Sequence, residues 1–142
     1  MKVTHIDHVG IAVADLDAAI ALYESAYGMR CVHTEVNEEQ GVREAMLEVG
    51  DSGSFVQLLQ PLSPDTTIGR FLERSGPGIQ QMAYRVDDLD EVSDHLRAQG
   101  MRLLYDAPKT GTAGSRVNFI HPKSAGGVLV ELVEPGSDSS QG

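Results

Sequence analysis

The chain has 142 residues, with 11 lysines and arginines against 21 acidic residues and a formal net charge of −10. Such a surface repels phosphate backbones and anionic membranes, which argues against nucleic acid and membranes as partners. The length is that of one ordinary domain, 41% hydrophobic residues is typical of globular proteins, and a single cysteine excludes an internal disulfide.

The first half of the chain is predicted to form a strand, a helix and then short strands. The β-rich segment 6–13 is followed by Asp15, a residue type that caps helix N-termini. The helix is expected to end at Gly28, because glycine is favoured just past a helix C-terminus. Further strands are predicted at 42–48 and 55–60.

The second half is predicted to repeat that order. A strand at 79–86 is followed by Asp88 as the helix cap, and the helix is expected to end at Gly100. Three short strands are predicted to complete this half, at 101–105, 117–121 and 128–133.

Matched residues at a nearly constant spacing relate the two halves. The segment IDHVGIAVADLDAAI, which begins at Ile6, aligns with IQQMAYRVDDLDEVS, which begins at Ile79. In the same way FVQLLQP, from Phe55, aligns with LVELVEP, from Leu129. Similarity at a fixed period indicates a duplicated structural unit.

The duplication predicts a single domain at 1–135 that consists of two modules, at about 1–73 and 79–135. The glycine- and proline-containing segment 74–78 joins them. The terminal segment 136–142 has no apolar residue, and we expect it to be disordered.

Strand alternation places polar side chains where a face would otherwise be small or apolar. On the first strand His8 shares a face with the small Gly10, while bulky residues occupy the face suited to packing under the helix. The repeat aligns His8 with Gln81 and Gln57 with Glu131. A carboxylate on such a face is costly to bury unless it is paired or bound to a metal.

These two aligned pairs predict a metal site with four ligands, His8, Gln57, Gln81 and Glu131. In an alternative interpretation, His8 forms a hydrogen bond within the core and the two glutamines cap strand ends. Glu44 also faces one side of its strand, either as a further carboxylate of the site or as an ordinary charge at a strand edge.

A local excess of positive charge lies in the segment 107–130, which has no acidic residue. It contains Lys109, Arg116 and Lys123, with the glycine-rich stretch TGTAGS between the first two. Backbone N–H groups and cations in such a segment can bind phosphate. A solvated basic loop is the alternative interpretation.

Several segments resemble the methylmalonyl-CoA epimerase family of the vicinal oxygen chelate superfamily. The similarity runs from about residue 6 to residue 134 and lies in IDHVGIAV, NEEQGVREAML and RLLYDAPKTGTAGSRVNFIHPKSAGGVLVEL. The blocks QGVRE and HPKSAGGVLVEL are the most specific. The resemblance implies an α+β fold of paired βαβββ modules, the glyoxalase/dioxygenase-like fold, which encloses a metal site.

The resemblance also assigns roles to residues. It implies His8, Gln57, Gln81 and Glu131 as ligands of a divalent metal ion, and Glu44 and Glu131 as the carboxylates that transfer the proton. The implied reaction is epimerisation of (2R)- and (2S)-methylmalonyl-CoA through an enolate that the metal stabilises. The implied substrate is an acyl-CoA thioester, and the implied assembly is a homodimer.

Gln81 departs from the family pattern, because relatives usually have His-His where this chain has Gln80-Gln81. An amide oxygen in place of an imidazole favours cobalt(II), Mn²⁺ or Mg²⁺ over zinc. With one cysteine and no apolar signal core at the N-terminus, we expect a cytoplasmic protein.

Three alternative functions use the same fold. A glyoxalase-type isomerase acts on a glutathione adduct, but it would not explain the QGVRE and HPKSAGG blocks. An extradiol dioxygenase requires two histidines and a carboxylate on iron, and with Gln81 present only His8 remains. A metal-free binding module, as in antibiotic-resistance relatives, belongs to a different functional class, and Gln81 is the feature that supports it.

Overall fold

The computed structural model describes residues 2–136. Of the tail predicted to be disordered, all but Gly136 lies outside the described residues. The chain divides into two units. The first unit is His8–Gln80, and the second combines the residues from Gln81 onward with the N-terminal residues up to Asp7.

The first unit contains four strands and two helices, which are β1 (His5–Ala12), α1 (Leu16–Tyr27), β2 (Arg30–Asn37), β3 (Val42–Glu48), β4 (Phe55–Pro61) and α2 (Thr67–Ser75). The first three residues of β1 belong to the second unit. Its strands lie in the order β2-β3-β4-β1, in which β1 and β4 are parallel and the other neighbours antiparallel. Strands β1, β3 and β4 and helix α1 lie where the sequence predicted them.

Helix α1 covers one face of this sheet and α2 covers part of the other. Leu16 of α1 is fully buried in a cluster with Leu47 and Leu58. Ile68 of α2 packs in a separate cluster with Leu59 of β4. Burial of each such side chain stabilises the fold by about 1.5–3 kcal/mol, so both helices are fixed by apolar contact.

The second unit has the strands and helix β5 (Gly78–Arg85), α3 (Leu89–Ala98), β6 (Lys109–Thr110), β7 (Arg116–Ile120) and β8 (Val130–Glu134). Strand β5 starts three residues before the unit boundary. The order β5-β8-β7-β6, with β5 parallel to β8 and the other pairs antiparallel, mirrors the direction pattern of the first unit. Its apolar cluster joins α3 to the sheet through Leu89, Val92 and Leu132.

The predicted helix caps are confirmed at both N-termini. The side chain of Asp15 accepts a hydrogen bond from the backbone N–H of residue 18, and that of Asp88 accepts one from residue 91. At the C-terminus of α1, Gly28 has a φ of 67°, the left-handed conformation that favours glycine. Helix α3 ends two residues before Gly100, which also has a positive φ.

Corresponding hydrogen bonds join α1 and α3 to the sheets of their units. The Gln60 side-chain oxygen accepts the Leu16 N–H at 2.7 Å, and the Glu134 carboxylate accepts the Leu89 N–H at 3.0 Å. Both contacts satisfy a backbone donor that a helix N-terminus leaves without an intrahelical partner. The duplication is therefore visible in the hydrogen bonds as well as in the sequence.

One predicted strand is absent, since 101–105 forms only an isolated bridge between Leu103 and Ile120. The buried Asn118 side chain instead bonds both the N–H and the C=O of Tyr105. Backbone pairing persists at Leu104, whose N–H bonds the C=O of Phe119, but at Tyr105 the Asn118 side chain replaces the ladder, so the segment MRLLY does not continue as a strand.

Two elements of the first unit were not predicted. Strand β2 lies at an edge and carries polar and apolar residues on both faces, so its alternation gives a weak signal. Helix α2 has nine residues and few apolar ones, and it depends on the Thr66 cap, which accepts from the Gly69 N–H at 3.0 Å. Among the described residues, no helix has the length and apolarity to cross a membrane.

Candidate active site

Three polar side chains are buried in the first unit, on strands β1, β4 and β3. His8, Gln57 and Glu44 are respectively 3%, 4% and 2% exposed. Gln57 and Glu44 precede Leu58 and Ala45, which pack in the cluster under α1, so alternation places both polar residues on the opposite face. His8 pairs with Phe55, two residues before Gln57, so all three polar residues lie on the face opposite α1.

A direct hydrogen bond joins Gln57 and Glu44. Gln57 Nε2 donates to Glu44 Oε2 at 3.2 Å. An ionised carboxylate has no proton to donate, so the amide turns its N–H₂ group toward Glu44. The amide oxygen is the atom of Gln57 that could ligate a cation.

The second unit contains a comparable pair. Gln81 on β5 and Glu131 on β8 are each 7% exposed, and Gln81 Nε2 donates to Glu131 Oε1 at 2.5 Å. In the sheet register Glu131 lies opposite Ala83, so Gln81 comes two residues earlier on the same face of β5. Two residues that are fifty positions apart in the chain are therefore in contact.

Apolar side chains lie near Glu131. Ala83, Val117 and Val133 form a buried cluster on this side of the sheet, and Phe119 lies opposite Glu131 in the strand register. A carboxylate beside apolar side chains interacts strongly with a donor or cation in contact with it. The Gln81 amide supplies one such donor.

The four predicted ligands offer one imidazole nitrogen, two amide oxygens and one carboxylate. Within residues 2–136 no group of three or more His, Cys, Asp or Glu side chains could hold a metal ion. A divalent ion would therefore need the amide oxygens of Gln57 and Gln81 besides His8 and Glu131. One imidazole with three oxygens suits cobalt(II), Mn²⁺ or Mg²⁺ better than zinc.

The three predicted phosphate-binding cations lie in different settings. Lys109 is on β6, with Nζ 4.9 Å from the centre of the Tyr105 ring, and Lys123 is in a 3₁₀ turn. Arg116 on β7 is bonded to Asp90 and Glu134, each at 3.1 Å, and these hydrogen bonds raise the pKa of Arg116. Arg116 thus interacts with carboxylates of its own unit.

One buried charge was missed in the sequence. Asp7 is 5% exposed, and its Oδ1 accepts hydrogen bonds from Arg85, whose Nη2 lies 2.7 Å away. Both residues belong to the second unit. The only sequence signal was a second polar residue next to His8 in IDHVG, and alternation assigned that position to the face under the helix.

Comparison with known proteins decides the family. Residues 7–119 match the Glyoxalase/Bleomycin resistance protein/Dioxygenase superfamily. An ethylmalonyl-CoA/methylmalonyl-CoA epimerase of Cereibacter sphaeroides is 36% identical over 129 residues, which are 89% of this chain and 95% of the relative. The chain belongs to the methylmalonyl-CoA epimerase family of this superfamily.

Solved epimerase structures confirm the predicted α+β fold. The crystal structure of methylmalonyl-CoA epimerase from Mycobacterium tuberculosis superimposes with a TM-score of 0.94 at 55% identity, covering 99% of this chain and 93% of that one. A single-substitution variant of Streptomyces coelicolor methylmalonyl-CoA epimerase, in complex with 2-nitronate-propionyl-CoA, has a TM-score of 0.93 at 45% identity, covering 96% of this chain and 100% of that one. The family assignment made from sequence segments is therefore correct.

Proposed function

We propose that this protein interconverts the (2R) and (2S) epimers of methylmalonyl-CoA by moving the proton on carbon 2. The observation that carries the proposal is a pair of buried carboxylates, one in each unit, each held by a glutamine amide. The epimerase fold and the identity of 55% to an epimerase support the substrate.

The chemistry requires two proton-transfer groups. A proton next to a thioester carbonyl is weakly acidic, and its removal leaves an enolate whose carbon 2 is planar. Inversion follows if one group removes the proton from one face and another returns a proton to the opposite face. We assign these roles to Glu44 and Glu131, which belong to different units.

The ligand of the Streptomyces relative supports an enolate. That protein is in complex with 2-nitronate-propionyl-CoA. A nitronate has a planar carbon and negative charge on oxygen, as an enolate does, so a site that binds it has the electrostatic character needed to stabilise an enolate.

We propose that His8, Gln57, Gln81 and Glu131 hold one divalent ion, cobalt(II), Mn²⁺ or Mg²⁺. The ion would supply Lewis-acid stabilisation of the enolate charge. Glu131 is the only anion in the set, so the positive charge of the ion would not be cancelled. Glu44 is outside the set, so coordination to the ion would not reduce its basicity.

The substrate's phosphates need cations in an otherwise acidic protein. We propose that Lys109, Arg116 and Lys123 bind the phosphates of coenzyme A. Lys109 and Lys123 are the stronger candidates, because Arg116 is bonded to Asp90 and Glu134.

We also propose that the protein is a homodimer, which the family resemblance favours. We propose a cytoplasmic location, which the single cysteine favours.

The decisive experiment follows the carbon-2 proton. Pure (2R)-methylmalonyl-CoA is incubated in D₂O with protein loaded with cobalt(II), and NMR monitors both deuterium at carbon 2 and formation of the (2S) epimer. We expect both signals, together with about one bound metal ion per chain by elemental analysis. Absence of both signals with metal bound would refute the epimerase function, and activity without metal would refute the ligand assignment.

A further inference from the structure

The contact between Gln81 and Glu131 is shorter than that between Gln57 and Glu44. Gln81 Nε2 lies 2.5 Å from Glu131 Oε1, against 3.2 Å in the other pair. Charge-assisted hydrogen bonds are shorter and stronger than neutral ones, and an apolar environment strengthens them further. The Gln81 amide N–H therefore restrains the rotation of the Glu131 carboxylate.

The shape of an amide explains what Gln81 can do that a histidine cannot. The nitrogen and oxygen of an amide are attached to one carbon, so they can contact two partners that lie side by side. The two nitrogens of an imidazole point to opposite sides of the ring. A ring that bound a cation through one nitrogen would direct its other N–H away from a neighbouring ligand such as Glu131.

We propose that Gln81 is a positioning residue for Glu131, a role separate from metal ligation and one that rests on the proposed function. Its amide N–H holds one carboxylate oxygen and thereby fixes the rotation of the whole group. The second oxygen of Glu131 is then presented in a fixed direction for proton transfer. Gln57 has the same relation to Glu44 in the first unit, so each proton-transfer carboxylate has its own glutamine.

The neighbourhood of Glu131 is consistent with this role. Val117 and Val133 are apolar and Phe119 lies opposite Glu131, so none of these side chains can orient a carboxylate by hydrogen bonding. Loss of the amide N–H removes one restraint on the rotation of the carboxylate, so a smaller share of its orientations would suit proton transfer.

Two variants remove the N–H by different means. Gln81→Met keeps a similar length but has neither amide group, whereas Gln81→Glu keeps an oxygen ligand, loses the donor and adds a negative charge beside Glu131. Gln80→Leu is the matched control, because Gln80 is the adjacent residue and its buried Oε1 has no hydrogen-bond partner. Circular dichroism verifies folding, and calorimetric titration with cobalt(II) measures metal affinity independently of activity.

The readout compares deuterium uptake from each pure epimer at saturating cobalt(II), with metal content verified. For the epimer whose proton Glu131 removes, we expect both variants to reduce kcat for exchange by about 10- to 100-fold, the range for loss of a hydrogen bond to a charged group. KM and exchange from the other epimer should change little. The Gln80→Leu protein should match the parent for both epimers.

The outcomes separate this role from the function on which it rests. An equal loss for both epimers, or a loss that disappears once metal is saturating, would show that Gln81 acts only as a ligand. Parent-like exchange from both epimers in the metal-loaded Gln81→Glu protein would also overturn the role. Absence of exchange in the parent protein would overturn both this role and the epimerase function.

Discussion

The two units share one scaffold but place their buried carboxylates at different positions. In the first unit the carboxylate is Glu44 on β3, and its amide partner Gln57 is on β4. In the second unit the carboxylate itself, Glu131, is on β8, the strand that corresponds to β4. The position that corresponds to Glu44 is occupied by Val117, as the strand registers show.

This difference explains how a duplicated fold can support an asymmetric reaction. If both units had retained the same carboxylate, the two proton-transfer groups would be chemically equivalent. Instead, Glu131 is proposed to bind metal as well, whereas Glu44 is not. With the proposed ion bound, the two carboxylates would differ in basicity, because coordination to a cation lowers the basicity of a carboxylate.

The largest expected effect comes from removing the base of the first unit. Glu44→Gln preserves shape but cannot accept a proton, so net epimerisation should fall by about 10²–10⁴-fold, the usual contribution of a positioned general base. Metal content should be unchanged. NMR in D₂O should still show exchange from the epimer that Glu131 deprotonates.

A neighbouring carboxylate provides the control for that variant. Glu48 is on the same strand and is paired with Arg30 at 2.8 Å, so Glu48→Gln should leave epimerisation unchanged. If Glu44→Gln epimerises both substrates at the parent rate, Glu44 has no part in proton transfer and the comparison of the two units fails.

The second-largest effect is expected at His8, the only nitrogen donor among the four proposed ligands. His8→Ala should remove most cobalt(II) binding and most activity while the protein stays folded, because β1 retains its backbone pairing with β4. Elemental analysis and circular dichroism measure the two properties. His5→Ala, an exposed histidine on the same strand, serves as the control. Retained metal with parent-like activity in His8→Ala would disprove the ligand assignment.

A smaller effect is expected when Gln81 is replaced by histidine, the residue that relatives usually have at this position. Gln81→His should bind zinc and cobalt(II) more tightly, because imidazole is a better ligand than an amide oxygen for both ions. Calorimetric titration measures the change, and Gln80→His is the matched control. Unchanged affinity for both ions would mean that residue 81 does not contact the metal.

The smallest effect is expected among the surface cations. Lys109→Ala should raise KM for methylmalonyl-CoA more than KM for a pantetheine thioester, which lacks the nucleotide phosphates. Arg116→Ala should instead lower stability by up to about 1 kcal/mol, because it removes exposed ion pairs with Asp90 and Glu134. Steady-state kinetics and urea unfolding distinguish the two. Equal KM changes for both thioesters in Lys109→Ala would place phosphate binding elsewhere.

Much of the fold was predictable because its signals are local or repeated. The side chains of Asp15 and Asp88 each accept a hydrogen bond from the backbone N–H three residues later, so each cap depends only on a four-residue segment of sequence. The alternation at 42–48 and 55–60 likewise identified β3 and β4 from single strands. The segment 101–105 was mistaken for a strand because the Asn118 side chain, thirteen residues further on, satisfies the backbone of Tyr105 where a ladder would continue.

The sequence by itself determined which residues are candidates, since the repeat selected His8, Gln57, Gln81 and Glu131 and alternation added Glu44. The tertiary structure alone decided the pairing of Gln57 with Glu44, of Gln81 with Glu131, and of Arg116 with acidic residues. Alternation states only which face a side chain occupies. Hydrogen bonds between distant residues depend on strand order and register, which arise when the whole sheet packs.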